Sequence, residues 1–369
     1  MRPGWEIKTI GEVCEIRSGR NQKGIENPSG QYPIYGSGGI MGYADDYLCE
    51  AGATIIGRKG SINNPIFVET KFWNVDTAFG FSPKETILPK FLFYFCKGFN
   101  FQSMNKGTTI PSLVKTDLLQ IRIPVPSIQE QQRIVDILDR EFAKIDALKA
   151  NAEKSLQAAK DLFQATLKKE LEPKDGWETK HLNEWATYSI GLTYKPTDVS
   201  NEGTIVLRSS NIQNDLLVFD DIVRVACKVK DELFVEEGDI LMCSRNGSAR
   251  LVGKVARIGK ERERMTYGTF MTIIRSKYNP VLFYYFKSDD FRSQISKGEN
   301  TMINQITKNM LNDVVVSLPN KPKDISRIAR TLDDLNDKCK ALQDNYQKTL
   351  SLCDDLKQAL LRKAFNGEL

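Results

Sequence analysis

Two short stretches carry side chains fit for binding chemistry. GRKGSINN (57–64) offers Arg58, Lys59, Ser61, Asn63 and Asn64 between glycines. SRNGSAR (244–250) offers Arg245, Asn246, Ser248 and Arg250 directly after the apolar run GDILMC. A second matched pair is KGTTIPSLVK (106–115), with Lys106, Thr108, Thr109 and Lys115, and KGENTMINQITK (297–308), with Lys297, Asn300, Thr301, Asn304 and Lys308. RSSNIQN (208–214) adds Arg208, Ser209, Ser210 and Asn211. Lysine heads suit phosphate, which contributes affinity without sequence information. Arginine forks and asparagine amides match the paired donors and acceptors of base edges. A solvated hairpin turn carries the same residue types. The recurrence of the pattern, more than any single side chain, makes a nucleic-acid face the expectation.

Other chemistries find little support. The chain has one histidine, His181, which leaves no basis for His-activated nucleophiles or the usual zinc sites. Its seven cysteines are odd in number, scattered and without a CxxC pair, so they read as buried reduced thiols and not as ligands or disulfides. No Walker loop is present, and the glycine cluster YGSGGIMGY (35–43) lacks the strand–helix setting of a dinucleotide fingerprint. NPIF (64–67) approaches the N-P-P-[FY] loop of amino-methyltransferases, but it lacks the second proline and has no S-adenosylmethionine motif before it. The neighbouring carboxylates Asp45–Asp46, Asp220–Asp221 and Asp289–Asp290 read as solvated loops. No catalytic constellation assembles.

The elements that must position these loops occur twice. GWEIKTIGEV near the start returns as GWETKHLNEW from Gly176. LPKFLFYFCKG from Leu88 is echoed by NPVLFYYFKS from Asn279, LLQIRIPVP from Leu118 by LNDVVVSLP from Leu311, and IVDILD from Ile134 by IARTLDD from Ile328. Four matches in one order mark two copies of one unit. Each copy begins with a β-rich segment, 1–127 and 173–320. The runs ATIIG (ending at Gly57), GTIVLRSS, GDILMCS and FMTIIRS read as strands, and LFYFCKG and LFYYFKS as short helices packed on a sheet.

Each copy ends in a long amphipathic stretch, 128–172 and 321–369. Ile134, Leu138, Phe142, Ile145, Leu148, Ala152, Leu156, Ala159, Phe163 and Leu167 recur at steps of three or four. So do Ile328, Leu332, Leu335, Cys339, Leu342, Tyr346, Leu350, Cys353, Leu356, Leu360 and Ala364. Such a seam predicts two helices that pair, antiparallel, as a coiled coil. Ser127 and Glu130 form an S-x-x-E capping signal at the start of the first; Asn366 and Gly367 end the second. The expected fold class is α+β: two mixed β-rich domains alternating with two long helices. With 369 residues, a net charge of +5, no apolar membrane-length run and no secretory leader pattern, a cytoplasmic protein is expected.

This order resembles the DNA-specificity subunit of type I restriction–modification systems. The resemblance is carried by GWE-x-K at the head of each unit, by KGTTIPSLVKTDLLQIRIPVPSIQEQQRIVDILD (106–139) and by the terminal LKQALLRKAFNGEL. The second unit departs from it, because its helix start LPNKPKDISRIARTLDD lacks the Glu130–Gln131 pair. The resemblance implies that each β-rich segment is a target-recognition domain reading half of a split duplex target, with the helices as a ruler. It also implies two methyltransferase partner subunits and restriction subunits, which would hold S-adenosylmethionine, ATP and Mg2+, and a chain without chemistry of its own. The rival expectation is a coiled-coil scaffold that binds proteins and not DNA.

Overall fold

The computed structural model describes residues 4–260, 263–296 and 304–369. The chain divides into two compact units, Met1–Lys154 with Tyr346–Leu369, and Ser155–Asn345. Each unit therefore contains one β-rich domain and part of both long helices.

In the first unit, strands β1 (Cys14–Ser18), β2 (Ala53–Gly57), β3 (Ile66–Val68) and β4 (Ala78–Pro83) form an antiparallel sheet of order β1-β4-β2-β3. In the second, β5 (Thr187–Ile190), β6 (Ile240–Cys243), β7 (Val255–Arg257) and β8 (Met271–Arg275) give the same order, β5-β8-β6-β7. β2 and β6 are buried along their whole length, which explains their unbroken apolar reading in sequence. The head of each unit pairs with the strand just before its long helix: Glu6–Thr9 with Arg122–Val125, and Trp177–His181 with Val315–Pro319. This closure is the physical content of the repeated GWE-x-K. His181 occupies the place of Thr9, and in both the backbone N–H donates to a glutamate three residues on (Glu12, Glu184).

The short helices are α1 (Pro89–Gly98) and α3 (Asn279–Tyr285); the long ones are α2 (Ile128–Glu170) and α4 (Pro322–Asn366). Ser127 Oγ accepts from Glu130 N, so α2 starts where its cap predicts. Within the first unit α2 and α4 run antiparallel: Arg133 donates to Leu369 O, Lys149 pairs with Asp354 at 2.8 Å, and Lys357 pairs with Asp146. Within the second, Arg327 of α4 faces Glu170 at the end of α2 at 3.7 Å.

The apolar stripes differ from a plain two-helix seam. Ile134, Val135, Leu138 and Phe142 lie in one core with Ile56, Phe81, Phe91 and Phe95 of the first domain. Phe163, Leu167, Ile328 and Leu332 lie in one core with Ile240, Ile274 and Phe283 of the second. Much of the periodicity thus seats the domains. Leu148, Leu342 and Leu356, expected in the seam, are exposed.

Candidate nucleic-acid interface

The first matched loop of each unit leaves the end of a central buried strand. β2 runs into Arg58 and β6 into Ser244–Arg245, so a rigid sheet fixes where each loop emerges. Glycine is required in the first unit: a Cβ on Gly57 would lie 2.3 Å from Ser61 O, and one on Gly107 would lie 1.8 Å from Ile110 O.

The two matched stretches meet in both units through one set of backbone hydrogen bonds. Arg58 N and Lys59 N both donate to Thr77 O, Gly60 N donates to Pro111 O, and Leu113 N donates to Arg58 O. In the second unit Ser244 N and Arg245 N both donate to Phe270 O, Asn246 N donates to Asn304 O, and Ile306 N donates to Ser244 O. Antiparallel bridges Lys59–Ser112 and Arg245–Gln305 complete the frame. Stretches some 50 to 60 residues apart in sequence thus become one face in each unit.

Around the first frame, Lys59, Ser61, Asn64, Lys106, Thr108, Thr109 and Lys115 are exposed. Arg58 is half-buried; it donates to Asp76 O and stands 5.8 Å over the Phe79 ring. Lys106 pairs loosely with Asp117 at 3.8 Å. Asn63 is exposed, but its side-chain oxygen accepts from Phe101 N, so that end of the amide holds the loop. The glycine cluster forms a tight hairpin of the strands Tyr32–Gly36 and Gly39–Ala44, and Ser37 Oγ comes to 3.5 Å of a Cβ built at Gly60. Its Ile40 and Met41 are exposed beside this face, a feature the sequence reading missed.

Around the second frame, Arg245, Ser248, Arg250, Asn304 and Lys308 are exposed. Asn246 Nδ2 donates to Ser209 Oγ at 3.1 Å, which brings the turn Arg208–Asn211 against the same face. Arg208 is paired with Asp221 at 2.7 Å, while its Nε and the Ser210 hydroxyl are buried without a partner among the described residues. Asn211 is corrected from a ligand-facing residue to a fold residue. It is 1% exposed, and its amide donates to Val218 O and Asp221 O while accepting from Arg208 N. Lys297, Asn300 and Thr301 lie outside the described residues. Phe270, 55% exposed beneath the Arg245 guanidinium, was absent from the sequence reading, because it reads there as the start of a strand.

The remaining chemistry-bearing residues are engaged in the fold. NPIF leads into β3, with Pro65 buried and the Phe67 ring 5.5 Å from that of Phe93. Asp289 and Asp290 begin a short helix, Asp289–Ser296, in place of the expected loop. The cysteines are free thiols, six of them buried; burial pushes Cys14 up to about 12 and Cys49 up to about 11. Among the described residues, no group of His, Cys, Asp and Glu side chains could hold a metal ion, and no helix is long and apolar enough to cross a membrane.

Two copies of one sheet, one helix pairing and one loop frame define a tandem recognition architecture. The chain belongs to the type I restriction–modification DNA specificity family, whose domain matches residues 3–158 and 174–351. It is 22% identical over 405 residues to the type I restriction enzyme EcoDI specificity subunit of Escherichia coli, spanning 99% of this chain and 88% of that one. It is 26% identical over 313 residues to the EcoKI specificity subunit of Escherichia coli strain K12, covering 78% and 67% respectively. Among solved structures, a chain from work on complex assembly and conformational transition of the type I R-M system superposes with a TM-score of 0.78 at 19% identity. That match covers 100% of this chain and 99% of the other. The HsdS subunit from Thermoanaerobacter tengcongensis matches at 0.53 and 20% identity, covering 100% and 98%. Both share the fold.

Proposed function

We propose that this chain is the sequence-reading subunit of a type I restriction–modification enzyme and has no catalytic site of its own. Each unit reads one half of a split, asymmetric duplex target, and the long helices set the unread gap between the halves. Two methyltransferase subunits dock on it and restriction subunits join them in the cytoplasm. S-adenosylmethionine, ATP and Mg2+ serve those partners.

The observation that carries this reading is the recurrent backbone frame, which presents basic, amide-bearing loops from both units. A scaffold for proteins has no need of two such faces. Duplex affinity that falls steeply with salt separates the readings. The decisive experiment is to map methylated adenines across the genome of a methylation-free host expressing the chain with its methyltransferase subunit. A chain-dependent motif of two short half-sites with a fixed gap is the expected result. Its absence, with both proteins soluble and associated, would count for the scaffold.

A further inference from the structure

The shared frame pairs residues that sequence alignment does not. Lys59 corresponds to Arg245, Gly60 to Asn246, Thr77 to Phe270, Pro111 to Asn304 and Ser112 to Gln305, because each pair makes the same backbone bonds. The backbone is conserved between the units while the side chains differ in kind. The first unit has a lysine and four small or closed residues there. The second has a forked cation, three amides and an aromatic ring.

In the second unit these five residues, with Gly247, line a cleft of about 510 Å³. Among the described residues, its lining holds one cation and no carboxylate. The Arg245 guanidinium stands 5.7 Å from the centre of the Phe270 ring, an arrangement that orients the fork without using its N–H groups. Asn246 is committed to Ser209 and to Ser248 N and shapes the wall. The side chains of Arg245, Asn304 and Gln305 have no hydrogen-bond or ion-pair partner among the described residues. An oriented fork and two unspent amides match purine edges in the major groove: arginine to guanine O6 and N7, asparagine or glutamine to adenine N6 and N7. An apolar ring beside them suits a thymine methyl.

We propose that this cleft is the base-reading site of the second domain. It takes the major-groove edge of adjacent base pairs, with Arg245, Asn304 and Gln305 as specificity-determining side chains and Phe270 as the residue that positions Arg245. This rests on the DNA-specificity reading above and deepens it.

The test maps methylated adenines for the intact enzyme carrying Gln305→Ala, Arg245→Lys or Phe270→Thr. The first two should each make one half-site degenerate at one position or two adjacent positions, with discrimination there falling ~5- to ~100-fold. The other half-site and the gap stay as in wild type. Phe270→Thr should give a smaller loss at the position affected by Arg245→Lys. An unchanged motif in both Gln305→Ala and Arg245→Lys overturns the proposal, as does equal degradation of both halves. Where a variant methylates nothing, the purified complex is titrated with duplexes altered in one half only. A loss confined to discrimination in one half supports the cleft; an equal loss in both overturns it. Gln305→Ala removes no side-chain hydrogen bond or ion pair among the described residues and leaves the backbone bridge to Arg245 in place, so it remains the deciding variant if the others misfold. A wild-type enzyme that yields no split motif would sink the DNA-specificity reading itself, a result distinct from any of these.

Discussion

The Tyr94 hydroxyl donates to Asp139 Oδ1 at 2.5 Å, joining the short helix of the first domain to the long helix that follows it. The second unit repeats the joint: Tyr284 donates to Asp333 at 2.5 Å. A cation completes each, Lys90 on Asp139 at 2.8 Å and Arg257 on Asp333 at 2.7 Å. Arg257 also lies over the Phe283 and Tyr284 rings, at 4.3 and 4.9 Å. Burial first, and then the carboxylate, push both phenols up, so the tyrosines stay neutral donors. A reader domain that must present its loops at a fixed place needs such a joint.

Removing either hydroxyl leaves a half-buried carboxylate short of a donor. Tyr94→Phe and Tyr284→Phe should each cost ~1.5–3 kcal/mol, the range for a hydrogen bond to a charged group. Urea unfolding followed by tryptophan fluorescence checks this. A cycle with Asp139→Asn should show that the two residues are coupled. Additive losses would mean that the joint does not act as a pair.

Gln131 explains the Glu-Gln signature at the start of the first long helix. It is fully buried; its side-chain oxygen accepts from Leu88 N at 2.8 Å, and its amide donates to Thr86 O and Pro126 O at 3.1 and 2.9 Å. One side chain thus satisfies two backbone groups at the entry to α1 and one just before α2. The second unit lacks this glutamine, and the entry to α3 is held by Asn279, which donates to Gly238 O and Ile274 O. Gln131→Ala should cost at least ~2 kcal/mol, since it strands buried polar groups. Its exposed neighbour gives the control: Gln132→Ala, which removes only a bond to Asp136, should cost little. Similar melting temperatures for the two variants would refute this role.

Lys97 closes α1 in a half-buried setting. Burial, and then Lys357 nearby, hold its pKa below the ordinary lysine value. The folded state therefore gives up the proton before the unfolded state does. In the window between the lowered folded value and the ordinary ~10.4, the unfolded chain binds more protons, so stability contributed by this group rises with pH. Lys97→Met removes the half-buried charge. It should be more stable than wild type near neutral pH, and the difference should shrink as pH rises into that window. Denaturation midpoints of both proteins against pH test it, and a difference independent of pH would exclude the half-buried ammonium as the cause.

Architecture was legible because repetition and periodicity are local signals. Strands such as β2 and β6 read as unbroken apolar runs, and α2 began at its Ser127 cap. Register between the copies was less legible. Sequence matching sets Leu88 against Asn279 and hence Tyr94 against Tyr285, whereas the shared aspartate joint sets Tyr94 against Tyr284. In runs of consecutive aromatics a slip of one residue costs little similarity, and only the partner across the fold decides. The stripe on each long helix was correctly apolar, but periodicity reports burial without naming the neighbour, so the domain cores' share was invisible. Asn211 and Asn63 look like ligand-seeking amides in sequence, and their use by backbone groups appears only after folding.

The helices give the last prediction. α2 has 43 residues and α4 has 45, so each is on the order of 65 Å long at ~1.5 Å per residue. If they set the gap between half-sites, seven residues inserted after Ala150, with seven more near Tyr346, add ~10 Å, about three base pairs. A heptad returns the apolar stripe almost to phase, so the seam and the cores at its ends survive. The same heptad inserted in one helix alone throws the facing stripes out of register and should abolish methylation. Three base pairs also turn the duplex by roughly 105°, given ~10–10.5 base pairs per turn. The single-heptad pair should therefore read a longer gap with weakened affinity. Three heptads in each helix add ~31 Å, close to one helical turn of ~34–36 Å, and should recover much of that loss. Methylation mapping reads the gap directly. A folded, methylating insertion variant with the wild-type gap would show that the spacing is set elsewhere.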